Sequence, residues 1–220
     1  MLLHELNTPL SVIKLGIHTT LRRVQFNAEE EARIRRIDAA VNDLNRIIEN
    51  CVTADKYADN NDFVNYESIE ISDFLEDLVE NFGLLENVNG GRINVENALL
   101  GSGLQYVKTD PNYLKIILVN LLKNALNYSP SLSKVHLRVE EIQFNEIRSI
   151  ELTVINRLAH DAKPDLSLLF SRYYRSESAR KFPGTGLGLW LSQTLADRLG
   201  TKIIVLFLDQ EIKFSIALPL

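Results

Sequence analysis

The sequence has little of what builds disulfides, membrane spans or nucleic-acid contacts. Cysteine occurs once in 220 residues, which excludes a disulfide within the chain and fits a reducing compartment. The longest apolar run, residues 114–122, is interrupted by Lys115 and Asn120 and is too short to cross a bilayer. No secretory signal pattern opens the chain. The formal net charge is -5, so we expect no nucleic-acid partner held by a basic surface.

The rest of the composition is ordinary for a globular protein. Hydrophobic residues make up 45% and charged residues 24% of the chain. A chain of this length makes one or two domains and can bury a core. The single cysteine, Cys51, falls on an apolar position of a helical repeat, which favours a small core residue over a nucleophile.

Two amphipathic helices are predicted in the first 58 residues. In the first, to about Val24, residues that are apolar apart from one threonine recur at steps of three and four, a pattern typical of helices that pack on helices: Leu3, Leu6, Leu10, Ile13, Ile17, Thr20 and Val24. Asn27 and Glu30 have the spacing of a capping box that opens the second helix. Its repeat comprises Ile34, Ile37, Val41, Leu44, Ile48 and Cys51.

Such a helical hairpin cannot cover its own apolar seam. We therefore expect two copies to pair as a four-helix bundle. The alternative is a monomer whose hairpin docks on the rest of the chain.

The start of the first helix brings three reactive groups together. His4 lies just off the apolar seam, beside Glu5 and one turn before Thr8, so an imidazole, a carboxylate and a hydroxyl share one rim. Pro9 cannot donate the hydrogen bond that the Glu5 carbonyl would otherwise receive, which loosens the helix there. These residues alone fit either a reactive site or an ordinary surface histidine.

A polar, turn-rich linker, residues 59–66, precedes a region of different character. Over residues 67–220, strands and helices are intermixed with adjacent antiparallel pairs, which predicts an α+β two-layer sandwich with helices on one face of a sheet. Ser72 is predicted to cap one helix, and Asp110 and Pro111 to open another that ends near Tyr128. Strands are predicted at residues 92–99, 134–144, 147–156, 202–208 and 211–218, with a helix between residues 184 and 200.

The predicted helix from Pro111 to Tyr128 has a face suited to nucleotide chemistry. Its apolar stripe is opposed by three asparagines with a lysine beside them: Asn120, Asn124, Asn127 and Lys123. Asparagine is a poor helix former, so three in two turns cost stability unless their amides are used. Amide oxygens are suitable Mg²⁺ ligands. A solvated polar face is the alternative.

A glycine-rich turn, residues 184–189, precedes the next helix. Glycines at a helix start let backbone N–H groups approach an anion, and the helix dipole favours negative charge there. Residues 158–183 before it are polar and weakly periodic, typical of a functional lid. Their basic side chains, Arg172, Arg175, Arg180 and Lys181, would suit a triphosphate.

Four motifs in this order resemble the H, N, F and second glycine boxes of two-component sensor histidine kinases. They are His-Glu-Leu-Asn-Thr-Pro-Leu at 4–10, Asn-Leu-Leu-Lys-Asn-Ala-Leu-Asn-Tyr-Ser-Pro at 120–130, Leu-Phe-Ser-Arg-Tyr-Tyr-Arg at 169–175 and Gly-Thr-Gly-Leu-Gly-Leu at 184–189. The resemblance implies a dimerisation and phosphotransfer hairpin (residues 1–58), a linker (59–66) and an ATP-binding domain (67–220). The last would have a lid at about 158–183 and the fold of the Hsp90-like ATPases.

The resemblance also implies roles for single residues. His4 would be the phosphoacceptor, Glu5 would orient its ring and take its other proton, and Thr8 would hold the water that dephosphorylates a partner regulator. Asn124 would bind Mg²⁺ with support from Asn120, and Phe170 and Tyr173 would pack the lid. The implied nucleotide-binding set is Asn120, Lys123, Asn124, Asn127, Tyr128, Asn156, Phe170, Arg175, Gly184, Thr185, Gly186, Leu187 and Gly188.

The chain departs from the family pattern in the first glycine box. Asn156 stands where the family has an aspartate that accepts a hydrogen bond from adenine, and Leu158 and His160 stand at glycine positions. The asparagine carbonyl can still accept that bond, but the lost charge is worth about 1 kcal/mol, or roughly five- to tenfold in affinity. The cost of Leu158 and His160 depends on whether the backbone there needs a positive φ. Asn127 replaces a common lysine, which Lys123 is placed to compensate.

We therefore expect the ATP- and Mg²⁺-dependent core of a homodimeric histidine kinase that passes a phosphoryl group from His4 to a response regulator receiver domain. It would be the cytoplasmic portion of a bacterial sensor, anchored to the membrane through segments absent from this chain. The alternative is a nucleotide-weak degenerate kinase that acts as a scaffold or phosphatase. An ATPase clamp without phosphohistidine is disfavoured by His4, Glu5 and the hairpin.

Overall fold

The computed structural model describes residues 2–24, 26–38, 40–41, 44, 48, 63–85, 91–99, 106–144, 146–159, 164–177 and 185–220, with the backbone alone for residues 2–8, 22–23, 83–85 and 144. Cys51, His160, Arg180, Lys181, Gly184 and the first half of the predicted linker (residues 59–62) lie outside these residues. No helix in the described ranges is long and apolar enough to cross a membrane.

The N-terminal part contains two helices. Helix α1 is Leu2–Arg23, and α2 begins at residue 28 and includes the described residues as far as 48. The predicted capping box at the start of α2 is confirmed, because the Glu30 N–H donates to Asn27 Oδ1 (2.9 Å) and the Asn27 N–H donates to Glu30 Oε2 (3.1 Å). The helices approach each other at His18 and Asp38, whose Nε2 and Oδ1 atoms are 3.4 Å apart.

Two sheets and three helices follow. The elements are β1 Glu67–Glu70, α3 Ile71–Leu85, β2 Ile93–Asn97, β3 Tyr106–Thr109, α4 Pro111–Tyr128, β4 Val135–Phe144, β5 Ile147–Arg157, α5 Gly188–Arg198, β6 Ile203–Leu208 and β7 Glu211–Pro219. The larger sheet has the order β2-β4-β5-β7-β6. Within it β2 runs parallel to β4 and the remaining pairs are antiparallel. The smaller sheet is the antiparallel pair β1-β3.

The hydrophobic core lies between the larger sheet and the helices. Alternate residues of β4, β5 and β7 are buried and belong to one cluster with the apolar stripes of α3, α4 and α5, for example Leu137, Leu152 and Phe214. In β4 and β7 the residues between them are only partly buried, for example His136 and Lys213, whereas the central strand β5 is buried on both faces over residues 152–156. The period of two in β4 and β7 is what one buried sheet face requires, and the predicted sandwich is confirmed for this region.

Three local features differ from the sequence predictions. Ser72 does not cap α3, because the helix begins at Ile71 and the Glu70 carboxylate accepts from the Asp73 N–H (2.6 Å). Ser72 Oγ instead accepts from Asn97 Nδ2 (2.8 Å), so its hydroxyl joins α3 to the end of β2. Strand β1 and the parallel β2-β4 pairing were not predicted, since both depend on contacts between distant segments.

Asp110 joins the end of the predicted linker to α4. Its Oδ1 accepts from the N–H groups of Asn112 (3.0 Å) and Tyr113 (3.1 Å), which confirms the predicted N-cap. Its Oδ2 accepts from the Asn65 N–H (2.9 Å). The side chain of Asp110 is almost fully buried, so the three bonds compensate the desolvation of a carboxylate.

Candidate nucleotide-binding site

The site is assembled around the second half of α4. The apolar stripe of this helix, which includes Leu118, Leu121 and Leu122, is fully buried. The packing fixes the helix rotation and so the direction of the opposite face. On that face Asn120, Lys123 and Asn124 are half-buried and Asn127 is exposed. The asparagine face is therefore partly covered by protein, which a purely solvated face would not be.

Asn120 connects α4 to the start of α5. Its Nδ2 donates to the carbonyl oxygen of Gly188 (3.3 Å), which also accepts from the Ser192 hydroxyl (2.9 Å). A Cβ added to Gly188 would stand 3.6 Å from Asn120 Oδ1, which is an ordinary van der Waals contact and no clash. Asn124 lies one turn further along α4, and the structure gives its amide no hydrogen-bond partner among the described residues. An amide oxygen there is available to a ligand.

The start of α5 presents backbone donors without a side-chain cap. Leu187, the N-cap residue, has helical dihedral angles and makes no side-chain capping bond. The Leu187 N–H donates to Thr185 Oγ1 (3.2 Å), which shapes the turn before the helix. Uncapped N–H groups and the positive end of the helix dipole favour an anion at this position.

Gly186 has a structural requirement for glycine. Its φ is +72°, and an added Cβ would lie 2.7 Å from the Tyr173 carbonyl carbon and 2.8 Å from the Tyr174 carbonyl oxygen. Its own carbonyl accepts from the Tyr173 N–H (3.1 Å). The glycine therefore lets two stretches of backbone meet. The sequence pattern suggested an approach to phosphates, whereas the contact observed at Gly186 is with residues 173 and 174.

These residues belong to a compact segment that we call the F-box segment, residues 164–177. Phe170 is half-buried and packs against the hydrophobic core, and Arg175 is also half-buried. Tyr173 differs from the expectation, because its side chain is 65% exposed and its main chain, at φ 64°, makes the contact. The Tyr174 hydroxyl accepts from the Asp165 N–H (3.0 Å) and closes the segment on itself. Hydrogen bonds from Ser167 hold the pKa of Asp165 below its ordinary value.

The lid arginines are not equivalent. The guanidinium carbon of Arg172 stands 3.9 Å from the centroid of the Trp190 ring on α5. This residue therefore stacks on an aromatic side chain. The sequence analysis expects it to suit a triphosphate instead. Arg180 and Lys181 lie outside the described residues.

The end of β5 carries Asn156, which the resemblance places in the first glycine box. Asn156 is 2% exposed and lies in the register position opposite Val135 and Ile212. Its Nδ2 donates to the Arg157 carbonyl oxygen (3.1 Å), which leaves Oδ1 as the acceptor. Asn156 can therefore still accept a hydrogen bond from a base.

The backbone after β5 shows whether Leu158, at the first of the two expected glycine positions, needs a positive φ. Leu158 is absent from the positive-φ residues of the described chain, so a leucine there is unstrained. Its N–H donates to the Gln210 carbonyl (2.8 Å), and the Ala159 N–H donates to the carbonyl of Tyr128 (2.9 Å). The first glycine box is thus held against the end of α4, beside the half-buried Tyr128. His160, at the second glycine position, is outside the described residues.

The three residues proposed for phosphotransfer lie on α1. The backbone of His4, Glu5 and Thr8 is helical, as predicted, and their side chains lie outside the description. Three contacts were not predicted: the Arg172–Trp190 stack and the Tyr173–Gly186 contact at the site, and the bond from Asn65 to Asp110 at the start of α4. Of these only the first left a sequence signal, since Trp190 is the single tryptophan of the chain.

The chain is similar to one protein family and to several sensor histidine kinases. The profile of the family described as "Histidine kinase-, DNA gyrase B-, and HSP90-like ATPase" matches residues 109–220. The chain is 26% identical to the sensor histidine kinase HprS of Escherichia coli K12 over 99% of this chain and 46% of that protein. It is 30% identical to the histidine-protein kinase/phosphatase MprB of Mycobacterium sp. strain KMS, over 84% of this chain and 35% of that protein. The chain therefore spans less than half the length of these relatives.

Solved structures show the same fold. Full-length ShkA in complex with AMPPNP superposes with a TM-score of 0.72 at 20% identity, over 99% of this chain and 44% of that one. The Acinetobacter baumannii histidine kinase AdeS gives a TM-score of 0.61 at 17% identity, over 98% of this chain and 97% of that one. The family profile covers half of the chain, from the last residue of β3 to residue 220. The chain belongs to the family of histidine kinase-, DNA gyrase B- and HSP90-like ATPases, as the catalytic and ATPase region of a histidine kinase.

Proposed function

We propose that this chain is an ATP-dependent protein-histidine kinase core that phosphorylates its own His4 and passes the phosphoryl group to an aspartate of a response regulator. The observation that carries the proposal is the contact between Asn120 and Gly188, at 3.3 Å. It brings the amide face of α4 against the uncapped start of α5. Metal-binding amides and anion-binding N–H groups on adjoining helices are the parts that phosphoryl transfer from ATP requires.

Two groups fit the base and the metal. Asn156 is fixed as an acceptor by its bond to the Arg157 carbonyl, which suits the adenine amino group. Asn124 has no hydrogen-bond partner within the described residues, so its amide oxygen is available to Mg²⁺. When bound, Mg²⁺ would neutralise charge on the phosphate oxygens. The N–H groups at the start of α5 would hold the phosphates with the helix dipole behind them.

The chemical step would take place at His4. A neutral ring nitrogen attacks the γ-phosphorus, the bond from phosphorus to the β–γ bridging oxygen breaks, and ADP leaves with that electron pair. Glu5, the next residue, would orient the imidazole and accept the proton from its other nitrogen. Transfer to a receiver aspartate regenerates His4. Thr8 would hold the water that later removes the phosphate, an activity named for the relative MprB.

A homodimer would complete the N-terminal part. Several apolar positions of the predicted helical seam are about half exposed in the single chain, among them Ile13 at 46%, Ile37 at 53% and Leu44 at 48%. A second copy that packs on α1 and α2 as a four-helix bundle would cover them. Light scattering of the purified chain should therefore give twice the 25.0 kDa mass of the chain.

Calorimetric titration with ATP and Mg²⁺ tests the nucleotide site. We expect binding in the micromolar to sub-millimolar range, weakened at least about tenfold by Asn124→Ala, as for other lost metal contacts. Asn112→Ala is the matched control, because Asn112 is an exposed asparagine in the first turn of the same helix. Undetectable binding at millimolar ATP would instead support the degenerate scaffold or phosphatase.

Incubation with γ-labelled ATP tests the acceptor. We expect an acid-labile, alkali-stable label on the protein that disappears in His4→Ala and persists in His18→Ala, a histidine of the same helix paired with Asp38. Release of inorganic phosphate without labelled protein would contradict the kinase proposal and favour an ATPase. Transfer is then measured as loss of label on addition of a receiver domain.

A further inference from the structure

We propose that Arg172 is a positioning residue for the nucleotide site: its guanidinium, stacked on Trp190, holds the F-box segment against the start of α5. The inference rests on the proposed function, because the site that it positions is the proposed ATP site. It assigns Arg172 a task other than direct contact with phosphate.

The stack joins the segment to the first turn of α5. The guanidinium carbon stands 3.9 Å from the centroid of the Trp190 ring, well within the range of about 6 Å for a cation–π contact. Trp190 is half-buried and packs against the core, whereas Arg172 is exposed. The fixed partner is therefore the indole, and the contact orders the arginine and the segment that carries it. A planar guanidinium suits such a stack better than a lysine ammonium.

The next residue makes a second attachment. The Tyr173 N–H donates to the Gly186 carbonyl (3.1 Å), and Gly186 has no room for a Cβ on that side. Tyr173 holds a φ of 64°, which is unfavourable for a tyrosine and persists where surrounding contacts fix it. Two consecutive residues thus attach the F-box segment to the glycine-rich turn and the helix after it. Tyr173 bonds the turn through its backbone, and Arg172 stacks on Trp190 in the first turn of α5.

This arrangement places the turn whose N–H groups would meet the phosphates. If the stack is lost, only the Tyr173–Gly186 hydrogen bond remains of these two attachments between the F-box segment and the start of α5. The glycine-rich turn then samples more conformations before nucleotide binds. The cost then appears in nucleotide affinity and leaves the chemical step at His4 unchanged. An exposed cation–π contact corresponds to about a two- to fivefold rise in KM for ATP with unchanged kcat.

The stack is first measured without nucleotide. Trp190 is the only tryptophan of the chain, so its fluorescence reports the surroundings of this one indole. In Arg172→Gln we expect a higher acrylamide quenching constant and a shifted emission maximum, because one face of the indole loses its cover. Arg148→Gln is the matched control, since Arg148 is an exposed arginine paired with Glu141 near the far β4–β5 turn. It should give the wild-type spectrum.

The kinetic consequence is measured as autophosphorylation at varied ATP. We expect the KM increase in both Arg172→Gln and Trp190→Leu, an intermediate value in Arg172→Lys, and nearly wild-type behaviour in Trp190→Phe, which keeps an aromatic face. Rescue by phenylalanine separates the stack from general loss of packing, because leucine and phenylalanine are both apolar.

Each result supports or overturns the inference. Unchanged quenching in Arg172→Gln shows that the stack is absent in solution and overturns it. Changed quenching with an unchanged KM shows a contact that positions nothing and also overturns it. A wild-type chain that fails to bind ATP refutes the proposed function, and the positioning role falls with it, whereas the quenching result still stands on its own as a test of the contact.

Discussion

Replacing Gly186 by alanine should separate the F-box segment from the glycine-rich turn. An added Cβ would stand 2.7 Å from the carbonyl carbon of Tyr173 and 2.8 Å from the carbonyl oxygen of Tyr174. Both are backbone atoms, so the clash is relieved only if one chain segment moves. The φ of +72° adds a second penalty for any residue with a Cβ.

The two penalties can be measured separately, because a second glycine shares only one of them. Gly200, which follows α5, has a φ of +76° and nothing within 4 Å of an added Cβ. Gly200→Ala should therefore cost only the left-handed conformation, about 1–2 kcal/mol, offset by about 0.4–1 kcal/mol from the stiffer unfolded chain. Gly186→Ala pays the same terms and also an overpacking cost of about 1–3 kcal/mol. The excess over Gly200→Ala should thus be about 1–3 kcal/mol.

Gly188 completes the series as a position without either penalty. Its φ is not positive, and an added Cβ would meet Asn120 at 3.6 Å. Gly188→Ala should therefore fold at least as stably as the wild type, with a gain of up to about 1 kcal/mol. Any loss of ATP binding in that variant would reflect the approach of phosphate to the backbone.

Urea unfolding and calorimetric titration with ATP and Mg²⁺ supply the measurements. If the F-box segment stays in place, the excess appears in the free energy of unfolding. If the segment moves away, it appears as about a five- to 150-fold loss of ATP affinity. Gly186→Ala and Gly200→Ala with equal stability and equal affinity would refute the close-contact argument.

Substitutions at three further positions test the fold. Asp110→Ala should destabilise by about 1–3 kcal/mol, because it leaves the N–H groups of Asn65, Asn112 and Tyr113 without their acceptor; Asp110→Asn, which can keep an acceptor, should lose less in urea unfolding. Leu121→Ala should cost about 2–5 kcal/mol by opening a cavity in a fully buried site, and a thermal midpoint equal to that of Leu132→Ala, at an exposed turn, would contradict this. Hydrogen bonds from His136 and Arg138 lower the pKa of Glu96, so its contribution is present above about pH 4.3 and is lost as the pH falls through the lowered value. Glu96→Gln should remove that part of the acid sensitivity, about 0.5 kcal/mol for a partly exposed group. The free energy of unfolding is measured at pH 6 and pH 3, about one unit or more on either side of the ordinary pKa of a glutamate. The same difference between the two pH values in Glu96→Gln and in the wild type would count against this reasoning.

Much of the catalytic region could be predicted because its signals are local. The period of the leucines placed α4, and Asp110 before Pro111 placed its start. The Asn27–Glu30 spacing placed the start of α2. Each signal depends on residues within about one turn of each other, where side-chain direction follows from backbone geometry alone.

Ser72 and β1 show where such local signals fail. A serine before an amphipathic run is a good capping candidate, but a carboxylate two residues earlier took that place and Ser72 bonded Asn97 instead. Strand β1 follows the linker directly, and its partner β3 lies almost forty residues away. The sequence pattern around β1 does not indicate this pairing, because the register is set by contacts that form only where the two strands meet.

By itself, the sequence determined the order of the helices and of strands β2 and β4–β7, the apolar stripe of α4 and the placement of asparagines opposite to it. It also showed that Asn156, Leu158 and His160 occupy the positions where the resemblance leads us to expect an aspartate and two glycines. Only the tertiary structure decided that Leu158 needs no positive φ and that Gly186 is required by Tyr173. It alone placed Arg172 on Trp190. The physical reason is that chemical type is a property of each residue, whereas strain, burial and orientation arise only when distant segments occupy the same space.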